Sequence, residues 1–162
     1  CGLLYQQSLN SDMTTVPYKG TAPAMTDLLG GQVDIMCDQT TNTTQQIESG
    51  KVKAFAVTTL KPLTTPTLAK LPTLDASGLK GFNVSIWHAL YAPKGTPKAV
   101  QDKVNAALVA ALKDPEFIKR QEALGAVVVT DNRLQPAEHK KFVEAEMNKW
   151  GPAIKAAGQY AD

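Results

Sequence analysis

The sequence predicts an α/β fold in which a mostly parallel sheet is flanked by helices and followed by a helical tail. Three observations lead to this prediction. Strand-like and helix-like patterns alternate over the first half of the chain, an order typical of parallel sheets with right-handed crossovers. The run 53–59 is nearly continuous in apolar residues, as in strands that are covered on both faces. The second half instead repeats apolar residues at helical spacing.

The first half is predicted to contain three helices and three strands. In chain order these are helix 2–11, strand 13–17, helix 22–29, strand 33–37, a short helix that closes at Gly50, and strand 53–59. The second helix has the clearest boundaries. Pro23 lies in its first turn, where a missing N–H costs nothing, and Gly30 with Gly31 ends it.

The second half is predicted to be helical after an irregular stretch. Residues 60–80 contain three prolines, and residues 82–92 form a long extended segment. A helix capped by Thr96 follows, with Pro97 at its first position. The apolar residues at four-residue spacing on its buried face are Val100, Val104, Leu108 and Leu112. The remaining elements are a helix from Pro115 to Gly125, a strand at 127–129, and a long helix from Pro136 that bends or breaks at Gly151-Pro152.

Composition excludes several function classes. The net charge is only +2 and aromatic residues make up 6% of the chain, so there is no basic or base-stacking surface for nucleic acid. No apolar run approaches the roughly 20 residues that cross a bilayer. Two cysteines and two distant histidines show no metal-ligand spacing. No catalytic triad context, paired carboxylates or phosphate-binding glycine loop is present. We therefore expect neither an enzyme nor a metal or cofactor.

The two cysteines, Cys1 and Cys37, allow three interpretations. Cys1 followed by Gly2 resembles the start of a processed lipoprotein, but the helical pattern that follows lacks a flexible polar tether. A disulfide is permitted in an oxidising compartment, although nothing in the spacing favours it. The interpretation that the sequence favours is two buried free thiols.

A candidate anion site lies where the first strand meets the second helix. The segment Val16-Pro17-Tyr18-Lys19-Gly20-Thr21 predicts a strand end, a glycine turn and a helix that Thr21 can cap. A helix start presents free N–H groups and the positive end of the helix dipole, which suits a carboxylate. Lys19 adds a nearby ammonium, although the residues alone favour a solvated surface lysine at this position.

These motifs, with others in the same order along the chain, carry a resemblance to a known family. The stretches that match are Val16 to Gly20, Pro23 to Leu28, Gly30 to Asp34, Ile47 to Lys51, Leu71 to Thr73 and Trp87 to Pro97. Together they cover nearly the whole chain. The sequence resembles the periplasmic solute receptors of tripartite tricarboxylate transporters, often called the Bug receptors.

The resemblance implies a receptor that captures a small carboxylate and delivers it to a membrane permease without bond chemistry. The ligand would be a di- or tricarboxylate, an amino acid or an aromatic acid. The fold implied is that of type II periplasmic binding proteins. Residues 1–83 would form the second, ligand-binding lobe, and residues 84–162 would be the crossing strand and C-terminal helices of the first lobe. Family members are about twice as long, so this chain is expected to be a C-terminal half without leader or first lobe. Its exposed tail would then favour self-association.

The resemblance also implies the ligand-binding residues, which lie on two loops. These are Tyr18, Lys19, Gly20, Thr21, Ala22 and Ala24 around the first helix start, and Asp38, Gln39 and Thr40 after the second strand. Asp38 would orient a ligand hydroxyl, an amine or a bridging water. In the family an aromatic residue usually precedes this aspartate, and here Cys37 replaces it.

Two other function classes compete with a periplasmic receptor. The first is the ligand-sensing effector domain of a transcriptional regulator, which uses a related two-lobed architecture. A helix-turn-helix upstream would favour the regulator, and a signal peptide with a first lobe would favour the receptor. The second is an enzyme on the same scaffold, which the scarcity of acid–base residues near the two loops disfavours.

Overall fold

The structure is a computed structural model that describes residues 1–156. Its helices are α1 (Gly2–Leu9), α2 (Thr21–Leu29), α3 (Thr40–Glu48), α4 (Lys98–Ala111), α5 (Pro115–Ala123) and α6 (Pro136–Ala156), with a 3-10 turn at Asn132–Leu134. The chain divides into two compact units. Unit 1 comprises Cys1–Trp87 and Glu122–Ala126, and unit 2 comprises His88–Gln121 and the described residues from Val127 onward. The assignment of residues 1–83 as the ligand-binding lobe stays a prediction.

The predicted sheet is not formed within the described residues. The segments 13–17, 33–37, 53–59, 82–92 and 127–129 carry no strand assignment there. One parallel bridge joins Val57 to Thr73, and Val57 N–H donates to the Pro72 carbonyl at 2.9 Å. A strand is defined by a neighbour that accepts and donates its backbone hydrogen bonds. Without such a neighbour, even the apolar run leaves Phe55 66% exposed.

Unit 1 has a small core built from apolar side chains and hydrogen-bonded threonines. Leu68 is 1% exposed, and Met25, Val57 and Phe82 are also buried. The buried threonines are Thr44, Thr65 and Thr73. Each takes part in a hydrogen bond with backbone groups, as burial of a hydroxyl requires.

Two of these threonines, together with Thr40, hold the end of α5 within unit 1. Their hydroxyls donate to three carbonyl groups of that segment, and we call this set the threonine clamp. It pairs Thr65 with Glu122 at 2.8 Å, Thr44 with Leu124 at 3.0 Å and Thr40 with Gly125 at 3.0 Å. Carbonyl groups at a helix end lack partners within the helix. The clamp supplies partners to them and anchors the return of the chain to unit 1.

The helices of unit 2 follow the predicted boundaries closely, with two corrections. α4 begins at Lys98 with Pro97 as its N-cap residue, so Thr96 does not cap it. The Thr96 hydroxyl donates instead to the Pro93 carbonyl at 2.9 Å. α6 is assigned as helix through Gly151-Pro152 up to Ala156, so the predicted break is absent, and the alternative of a bend stays a prediction.

The start of α5 is confirmed, and part of the apolar face of α4 is exposed. Asp114 accepts a hydrogen bond from the backbone N–H of Phe117 at 2.7 Å, the pattern of an N-cap. On α4, Val100 is 50% and Val104 48% exposed, in line with the expectation of an exposed apolar tail.

The expectation of two free buried thiols is wrong. Cys1 and Cys37 form a disulfide, with their Cα atoms 6.2 Å apart, and both residues are exposed. The pairing depends on α1 and the segment before Asp38 meeting in space. That is a tertiary relationship, so a separation of 36 residues does not reveal it.

Within residues 1–156, no helix is both long and apolar enough to cross a bilayer.

Candidate ligand-binding site

The start of α2 is open and lacks a side-chain cap. Gly20 precedes the helix with φ 102° and ψ 175°, a conformation that favours glycine. A Cβ built at Gly20 would meet no atom within 4 Å. Thr21 is the first helical residue, so the prediction that its side chain caps the helix is wrong. The N–H groups of Thr21 and Ala22 therefore lie at an exposed, positive helix end, and Pro23 contributes none.

The other residues around this turn that were predicted to bind a ligand differ in their exposure and in their free hydrogen-bond donors. Lys19 is exposed and forms no salt bridge within the described chain. Ala24 is half-buried, and in helical geometry its N–H points towards the carbonyl of residue 20. Besides the Lys19 ammonium, the donors that the helix start leaves without an intrahelical partner are the backbone N–H groups of Thr21 and Ala22.

The Tyr18 hydroxyl is engaged within unit 1. It donates to Asp27 Oδ2 on α2 at 2.7 Å. This hydrogen bond, together with desolvation and the negative charge of Asp27, raises the pKa of Tyr18. Because its proton already points to Asp27, the hydroxyl holds the turn against α2 rather than presenting a donor to a ligand.

The second predicted loop runs into the start of α3. Gln39 precedes that helix in an extended conformation and Thr40 is its first residue, again without a side-chain cap. Asp38 Oδ1 accepts from the backbone N–H of Gln39 at 2.6 Å. The Thr40 hydroxyl is committed to the threonine clamp, where it donates to the Gly125 carbonyl. What Thr40 can offer a ligand is thus its backbone N–H, at the positive end of α3.

A residue that the sequence reasoning missed connects the two loops. The side-chain nitrogen of Asn42 donates to Thr21 Oγ1 at 3.0 Å and to Asp38 Oδ1 at 3.3 Å. A carboxylate only accepts hydrogen bonds, so the amide nitrogen of Asn42 is the atom that must face Asp38. The only sequence signal is the polar run 40–44, and it does not indicate a contact 21 residues away.

The arrangement brings two helix starts and one carboxylate into a single hydrogen-bonded set. Such a set can bind an anion through backbone N–H groups and orient a donor group through Asp38. It offers no nucleophile–base pair. Within residues 1–156, no group of three or more His, Cys, Asp or Glu side chains is placed to hold a metal ion.

Comparison with known sequences identifies the family. The sequence profile of the tripartite tricarboxylate transporter family receptor matches residues 4–159. A UPF0065 protein of Agrobacterium vitis is 47% identical over 98% of this chain and 45% of its own length. The resemblance found in the sequence motifs is thereby confirmed.

Similar solved structures support the same family. The periplasmic binding protein BugD is 56% identical with a TM-score of 0.88, over 98% of this chain and 52% of BugD. MatC from Rhodopseudomonas palustris, with bound malate, is 37% identical with a TM-score of 0.86, over 94% of this chain and 51% of MatC. A further R. palustris protein, with adipate, is 30% identical with a TM-score of 0.87, over 97% of this chain and 51% of that protein. The chain thus spans about half the length of these relatives.

Proposed function

Because the chain belongs to the tripartite tricarboxylate transporter receptor family, we propose that it binds a small carboxylate at the starts of α2 and α3. The observation that carries this proposal is the open start of α2, where Gly20 leaves the N–H groups of Thr21 and Ala22 uncapped. Structural neighbours with bound malate and with adipate support a carboxylate as the ligand class.

Binding would rest on hydrogen bonds from neutral donors to a charged acceptor. Each such bond contributes about 1.5–3 kcal/mol when it is well made. The helix dipole adds about 0.3–1 kcal/mol at an exposed site. Lys19 would contribute through its charge alone. A site of this kind needs no buried cation, and it accepts carboxylates of different shape.

A second polar group of the ligand, besides the carboxylate, would contact Asp38. Its Oδ1 atom is occupied by Gln39 and Asn42, which leaves Oδ2 to accept from a ligand hydroxyl, an ammonium group or a bridging water. Di- and tricarboxylates, amino acids and aromatic acids all remain within the proposed ligand class.

The whole receptor would act in the periplasm and deliver its ligand to the membrane permease subunits of the transporter. The family and BugD, which is a periplasmic binding protein, support this role. The role proposed is capture and release, with no bond made or broken.

A panel of small acids tests this proposal by ligand-observed NMR on the 162-residue chain. The panel would contain malate, adipate, citrate, aspartate, glutamate and nicotinate, and a succinate–succinamide pair would isolate the effect of charge. We expect succinate to bind and succinamide not to bind. Affinities should be millimolar, because an open site encloses little of a ligand's surface. Equal binding of succinate and succinamide, or binding by none of the acids, would contradict the proposal.

We also propose that the chain associates with itself through the exposed face of α4. Val100 and Val104 lie one turn apart and are about half exposed, and exposed apolar patches favour association. Light scattering should give a mass above 17.4 kDa for the wild type and a lower mass for Val104→Glu. Ala106→Glu, on the opposite side of α4, is the control. A wild type that stays monomeric at the highest concentrations would rule this out.

A further inference from the structure

We propose that Asn42 is a positioning residue that sets the selectivity of the site for ligands carrying a hydroxyl group next to a carboxylate. This inference rests on the proposed function and deepens it. It assigns a role to a residue outside both predicted loops.

Asn42 is placed to fix the distance between two subsites. One N–H of its side-chain amide holds Thr21 Oγ1, at the helix start proposed to bind the carboxylate, and the other holds Asp38 Oδ1. Both hydrogens of the amide nitrogen are thereby used. Asn42 itself lies in the first turn of α3 and is exposed, so no core packing accounts for its position.

The same contacts decide which atom of Asp38 faces a ligand. Oδ1 accepts from both the Gln39 backbone and the Asn42 amide, and these two donors restrict rotation of the carboxylate. Oδ2 then stays available, at a set distance from the start of α2. A 2-hydroxy acid can use both subsites at once, whereas an acid without the hydroxyl group uses only the first.

Malate and succinate form a matched pair for the test, since they differ only by one hydroxyl group. We expect the wild type to bind malate about tenfold more tightly than succinate, the size of one hydrogen bond to a charged acceptor. Asn42→Ala should reduce this ratio to below about threefold while changing succinate affinity by less than about twofold. Titrations followed by NMR suit millimolar affinities.

Two further variants separate selectivity from folding. Gln45→Ala changes an exposed residue on the same helix and should keep the wild-type ratio. Asn42→Asp places a second carboxylate beside Asp38 and should also abolish the malate preference, because like charges repel. Thermal midpoints of all variants would show whether α3 is intact.

Each outcome of these titrations supports or overturns the role proposed for Asn42. The inference is overturned if Asn42→Ala keeps the malate preference, if it weakens malate and succinate equally, or if the wild type shows no preference. If the wild type binds neither acid, the proposed carboxylate site fails, and the inference fails with it. Loss of preference in both Asn42 variants, with Gln45→Ala unchanged, supports the inference.

Discussion

The hydroxyl of Thr40 donates a hydrogen bond to the carbonyl oxygen of Gly125 at 3.0 Å, across 85 residues of chain. Thr40 begins α3 at the candidate site, and Gly125 follows the end of α5. This contact and the rest of the threonine clamp tie the second loop of the candidate site to a segment far along the sequence. The close approach is possible because Gly125 has no side chain.

Gly125→Ala should destabilise unit 1 strongly. Gly125 has φ +79°, and a Cβ there would lie 2.7 Å from Leu68 Cδ1 and 2.9 Å from Thr40 Cβ. We expect a loss of about 2–5 kcal/mol in the free energy of unfolding, because backbone strain adds to overpacking. Gly50→Ala is the matched control, since Gly50 has φ +70° with nothing within 4 Å. Its loss should be about 1–2 kcal/mol. If urea unfolding gave the same loss of unfolding free energy for both variants, the close contacts at Gly125 would carry no cost.

Reduction of the Cys1–Cys37 disulfide should lower the stability of the chain. In the chain-entropy model, closing a loop of 36 residues contributes about 4 kcal/mol. Urea unfolding with and without a phosphine reductant measures the effect. The double variant Cys1→Ser/Cys37→Ser should be as unstable as the reduced wild type and should not respond to the reductant. An unreduced wild type that reacts with a thiol reagent would contradict the pairing.

The Tyr18–Asp27 contact predicts a dependence of stability on alkaline pH. The folded state raises the pKa of Tyr18 above its ordinary value of 10.0, first because the phenol donates to Asp27. A raised pKa means that the stabilisation is complete below pH 10 and is lost as pH rises through the folded pKa. The wild type should therefore be more stable than Tyr18→Phe at pH 8, by a margin that shrinks above pH 10. A margin that stays constant from pH 8 to pH 11.5 would argue against the contact.

Local signals were sufficient to predict the helices that build the site. The predicted helix 22–29 and the observed α2, Thr21–Leu29, differ by one residue, because Gly20, Pro23 and Gly30 act within a single turn of the chain. The role of Thr21 was not predictable in the same way. Its hydroxyl is held by Asn42, and that partner depends on how α2 and α3 come together.

The strands and the disulfide depend on tertiary partners, which local sequence patterns do not identify. An apolar run such as 53–59 indicates that a segment would be covered in a sheet, but it does not say which segment covers it. In the described chain Val57 pairs only with Thr73, and the sheet is not formed. The bond between Cys1 and Cys37 likewise depends on tertiary proximity, which residue spacing does not encode.

The most direct test of the candidate site is a residue-resolved titration of the isotope-labelled chain with malate, followed through backbone amide signals. The account predicts saturable shifts that are largest at Gly20, Thr21 and Ala22, with a second group at Gln39 and Thr40. Succinamide, which carries no charge, should leave the same signals in place. Saturable shifts confined to residues far from the starts of α2 and α3, or no saturable shift at any malate concentration, would contradict it.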